Sequence, residues 1–61
     1  MSDKAKLEAT AATLEEVAVF ADYLKVLALG AGEQVKADRL EEQAGDLRQF
    51  AGIYKTAANA A

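Results

Sequence analysis

Leu24-Lys25-Val26-Leu27-Ala28-Leu29-Gly30-Ala31-Gly32-Glu33-Gln34-Val35-Lys36-Ala37 passes from an apolar stretch through two glycines into a polar one. A glycine directly after the last periodic apolar residue is the usual left-handed end of a helix. On both sides the sequence is helix-forming. Alanine fills fifteen of the 61 positions and proline is absent. Alanine is the strongest helix former, and strand-like alternation is missing. The chain therefore reads as all-α, with a helix over about residues 3–29, a turn at Gly30–Gly32 and a second helix over about 33–58. Together they form one hairpin domain over residues 1–61, with residues 59–61 as a frayed tail. Ser2 suits an N-cap and Asp3 the first turn of helix 1. Thr13-Leu14-Glu15-Glu16 has the form of a capping box and offers a later start near residue 13.

Helix 2 carries unbroken 3–4 spacing in Ala37, Leu40, Ala44, Leu47, Ala51, Tyr54 and Ala58, and helix 1 a matching row in Leu7, Thr10, Leu14, Val17, Ala21, Leu24 and Ala28. Such spacing is the seam of a coiled coil. If the chain folds back antiparallel, facing residues have numbers with a constant sum. Pairing outward from the turn joins Ala28 to Ala37, Leu24 to Leu40, Ala21 to Ala44, Val17 to Leu47, Leu14 to Ala51, Thr10 to Tyr54 and Leu7 to Ala58. Every pair adds to 64 or 65, so these residues form the expected hairpin seam, Tyr54 included. All-alanine layers alternate with large ones, which lets facing layers interdigitate.

The alternating layers and the turn Leu29-Gly30-Ala31-Gly32-Glu33-Gln34 resemble the Rop-type RNA-binding regulators of plasmid copy number. The resemblance implies a hairpin that dimerises into a four-helix bundle, with RNA bound on the outer face of helix 1 through polar, basic and aromatic residues. This chain departs from that pattern. Leu14 stands where an aromatic belongs, and the nearby positions expected to be exposed hold Ala11, Ala18 and Glu15.

One seam does not use all the apolar residues. Phe20 and Leu27 flank it on helix 1, and Phe50, Ile53 and Ala57 flank it on helix 2. Val19, Val26 and Leu29 lie on the far side of helix 1, which is apolar nearly all round from Val17 to Leu29. A helix of that kind is buried on most sides, which an isolated hairpin cannot do. Gly45 and Gly52, seven apart on helix 2, add a smooth strip that a neighbouring helix can approach; each costs about 1 kcal/mol relative to alanine within a helix. The expected partner surface is Val19, Phe20, Val26, Leu27, Leu29, Gly45, Phe50, Gly52 and Ile53.

Composition narrows the function. With no cysteine and no histidine, disulfides, thiolate zinc sites and imidazole catalysis are excluded. The ten carboxylates include no Glu-x-x-His pair of a di-metal bundle. Asp38, Glu42 and Asp46 form an acidic stripe read as a solvated face. Gly30-Ala31-Gly32 lacks the preceding strand of a phosphate loop. No catalytic, cofactor or metal residue is expected, nor a small-molecule substrate, and enzymatic activity is not expected. A net charge of −3 with scattered basic residues opposes nucleic acid as a partner. Residues 17–29 are too short to span a bilayer and are interrupted by Asp22 and Lys25. The N-terminus has no apolar run of a cleaved signal, so a cytoplasmic location or one within a virion or other particle is expected. Partners are then a second copy of the chain, another helical protein, or both. Three readings stand: a self-associating structural module, such as a small component of a bacterial or phage particle; a protein-binding adaptor or inhibitor using Val19, Val26 and Leu29; and a Rop-like RNA binder.

Overall fold

Two helices, α1 over Asp3–Gly30 and α2 over Gln34–Ala60, make up nearly all of the chain. They pack side by side as an antiparallel hairpin about 45 Å long. The structure is a computed structural model and describes residues 2–61. α1 starts early: the Ser2 side-chain oxygen accepts the Ala5 N–H at 3.1 Å, an N-cap interaction, with Asp3 in the first turn. The alternative start near residue 13 is not used. Thr13 lies inside the helix, and its hydroxyl donates to the Ala9 carbonyl at 3.0 Å.

The end of α1 satisfies its own carbonyls. The Glu33 N–H donates to Ala28 O at 2.9 Å and the Gly32 N–H to Leu29 O at 3.1 Å, the paired bonds of a Schellman motif. Gly32 takes the left-handed conformation this requires, with φ of 74°. Gly30 remains helical, so the helix runs one residue past its expected end and the second glycine turns the chain. At the other end, Asn59 and Ala60 complete the last turn of α2, beyond the expected limit at 58.

Among the described residues the buried side chains are eight alanines: Ala11, Ala18, Ala21 and Ala28 of α1 and Ala37, Ala44, Ala51 and Ala58 of α2. In heptad notation, α2 places its alanines at a and Leu40, Leu47 and Tyr54 at d. α1 places Ala11, Ala18 and Lys25 at a and Leu7, Leu14, Ala21 and Ala28 at d. Ala18, Ala21 and Ala44 form the centre, with Leu40 and Leu47 packed against it.

The α2 seam is as expected except at Tyr54, which is 36% exposed and lies at the rim rather than in the core. The α1 seam is displaced. Leu7, Leu14, Ala21 and Ala28 face α2, but Thr10 is exposed, Val17 is 46% exposed and Leu24 is only half-buried. Ala11 and Ala18, expected at the surface, are buried instead. The helix is turned by roughly 50° from the expected face, half of one residue step. Alanine in every seventh position of α2 favours the closest backbone approach, and α1 meets it with methyl groups rather than with valine and leucine.

Three substitutions test the turn and the seam. Gly32→Ala forces a Cβ into the left-handed region and is expected to cost about 1–2 kcal/mol in urea unfolding, whereas Gly30→Ala leaves stability unchanged or higher. Ala44→Leu is expected to cost about 1–3 kcal/mol, because a branched side chain cannot enter the alanine layer without parting the helices.

Candidate functional site

The two long edges of the hairpin differ in chemistry. In an antiparallel pair, e positions face e positions along one edge and g positions face g positions along the other. The e edge is charged. The row Glu41, Arg48 and Lys55 of α2 lies beside the row Glu15 and Asp22 of α1. Arg48 donates to both carboxylate oxygens of Asp22, and Lys55 pairs with Glu15. The ammonium of Lys25, at the half-buried a position, reaches Glu41 at 3.0 Å. Its stem covers the seam while its charge leaves it. The hydrogen bonds from Arg48 hold the Asp22 carboxyl below its ordinary value of 3.8; desolvation opposes them, and the charges of Arg48 and Lys25 add to the lowering. Arg48 is raised in turn, chiefly by its hydrogen bonds to Asp22.

The g edge is apolar. It carries Val17 and Leu24 of α1 and Phe50 and Ala57 of α2, with Phe20, Leu27 and Ile53 one row further out. Among the described residues no ion pair crosses this edge. Val17, Phe20, Leu27, Phe50, Ile53 and Tyr54 are all exposed there. Val19, Tyr23, Val26 and Leu29 are exposed on the outer side of α1. The half of α1 next to the turn is thus largely apolar away from the charged edge that holds Asp22.

The expected partner residues do not form one patch. Phe20, Leu27, Phe50 and Ile53 gather at the g edge. Val19, Val26 and Leu29 lie on the opposite flank of α1. Gly45 and Gly52 are on the far side of α2, next to the charged edge, and among the described residues nothing lies within 4 Å of where their Cβ atoms would be. The interhelical ion pairs escaped the sequence reading, although seven-residue spacing of Glu15 with Asp22 and of Glu41, Arg48 and Lys55 was a signal for them.

Among the described residues there is no group of three or more His, Cys, Asp or Glu side chains placed to hold a metal ion. The acidic stripe is exposed, and Asp38 accepts a hydrogen bond from Gln34 at 2.8 Å. Surface hollows are open and shallow; the one between the open ends is lined by Lys4, Glu8, Glu15, Lys55 and Asn59. Among the described residues no helix is long and apolar enough to cross a membrane. No family model, no curated protein and no solved structure matches the chain, so the turn and layer resemblance carries no family assignment.

The Asp22–Arg48 pair has a defined pH signature. A carboxylate whose folded pKa is depressed contributes stability above its unfolded value, and that contribution is lost as pH falls through the folded one. Unfolding midpoints of the native and Asp22→Asn proteins should therefore differ at neutral pH and converge at pH values below 3.8.

Proposed function

We propose that this chain is a non-enzymatic assembly module, a helical hairpin that associates with copies of itself into a four-helix bundle or larger array and acts inside a cell or within a particle. One observation carries the reading. Among the described residues only alanines are buried, while eleven larger apolar side chains stand exposed. Carrying a large apolar side chain from full exposure to full burial gains about 1.5–3 kcal/mol, and these, still 36–66% exposed, have a good part of that left to gain. A chain this short has few means of stabilising itself, and with no cysteine and no histidine, association remains. Contiguous exposed apolar surface usually marks a partner site, and Val17, Phe20, Leu27, Phe50 and Ile53 gather along the g edge.

A second reading, an adaptor or inhibitor of another protein, is favoured by Val19, Tyr23 and Val26. They lie on a flank of α1 apart from the g edge and are at least 59% exposed.

The mass of the purified protein, by sedimentation and light scattering, tests the first reading. The expected result is a defined multiple of 6.4 kDa. A stable, folded monomer would overturn self-association and favour the adaptor.

A further inference from the structure

The row first read as the α1 seam has a second use. Leu7, Thr10, Leu14, Val17, Ala21, Leu24 and Ala28 occupy the d and g positions, and the hairpin consumes only the d half of them. From Leu7 to Ala28 an uninterrupted 3–4 row with no charged member remains along the g edge of α1. α2 presents its own d and g row there, Leu40, Gln43, Leu47, Phe50, Tyr54 and Ala57, with Lys36 at its turn end. α1 therefore carries two overlapping seams that share Leu7, Leu14, Ala21 and Ala28. One is filled by α2.

We propose that the other is filled by a second copy of this chain, packed antiparallel so that α1 meets α1 and α2 meets α2, with Val17 of the two copies meeting at the twofold axis. The proposal rests on the self-association reading and specifies its surface.

The pairing follows from side-chain size. With Val17 on Val17 at the centre, Leu14 falls on Ala21, Thr10 on Leu24 and Leu7 on Ala28 of the other copy, one small and one large side chain in each layer outside the central one. On α2 the same operation sets Leu47 against Phe50, Gln43 against Tyr54 and Leu40 against Ala57. The Gln43 amide then has the Tyr54 hydroxyl as a hydrogen-bonding neighbour. The midpoints agree: the α1 row centres between residues 17 and 18 and the α2 row between 48 and 49, which the hairpin places at the same height.

Area points to a partner of the same size. A compact monomer of 6.4 kDa exposes about 3,800 Å²; this hairpin exposes 4363 Å². Its broad face, 45 Å by 16 Å, amounts to on the order of 700 Å², close to the ~800 Å² per partner of a standard stable interface. The charged e edge already has its partners within the chain, which leaves the g edge to the second copy.

The chain has no cysteine, so one introduced thiol reports on one position. Full-length Val17→Cys and Val19→Cys proteins are to be oxidised at low micromolar concentration, or bridged with a short bismaleimide, beside a mass measurement on the native chain. The expected result is a native dimer or larger even assembly, with most of the Val17→Cys chains linked in pairs and the Val19→Cys chains linked only at background. An assembled native protein in which Val17→Cys does not link, or links no better than Val19→Cys, overturns this interface and leaves self-association standing. A native monomer removes both, and another helical protein becomes the occupant of the g edge.

Discussion

The distance between the two helices governs this molecule. Alanine at every seventh position of α2, met by alanines of α1, lets the backbones approach until methyl groups touch methyl groups. That approach excludes anything larger from the seam. Leucines at d are pushed to its margin, valines and phenylalanines to the outside, and Lys25 is admitted only because its ammonium escapes to Glu41. Tight packing and a small buried volume are here the same fact. The core specifies how the helices sit while contributing little of the burial energy that holds most domains together.

The two edges follow from that geometry. Close helices bring the e positions within reach of one another, so Glu15, Asp22, Arg48 and Lys55 bridge the seam on one side. Exposed ion pairs of this kind add modest stability and mainly fix register and facing. They agree with the face α1 presents: with Ala11 and Ala18 inward, Glu15 and Asp22 stand opposite Lys55 and Arg48. The other edge is left with apolar side chains, which supports the reading that the hairpin is half of a larger helical unit.

Much of this was legible in the residues, and the exception is instructive. The glycine pair, the absence of proline and the constant-sum pairing were enough for a hairpin. The α2 seam was readable because its neighbouring positions are mostly polar or charged. α1 was different, because it holds two 3–4 rows that share four residues, and hydrophobic spacing alone cannot choose between them. The larger side chains of Val17 and Leu24 made the outer row look like the core. Small residues decide the contact in this seam, and Ala11 and Ala18 give a weak hydrophobic signal. The turn was ambiguous for a related reason: Gly30 and Gly32 both follow the apolar stretch, and only the backbone shows that Gly32 is the left-handed one.

A core made of methyl groups has a consequence for the lifetime of a solitary chain. With no bulky side chain locking the seam among the described residues, a lone hairpin has little to oppose its opening, and frequent opening exposes the backbone to hydrogen exchange and to proteases. Any body that sealed the greasy edge would shield that backbone too, and so lengthen the life of the chain it covered.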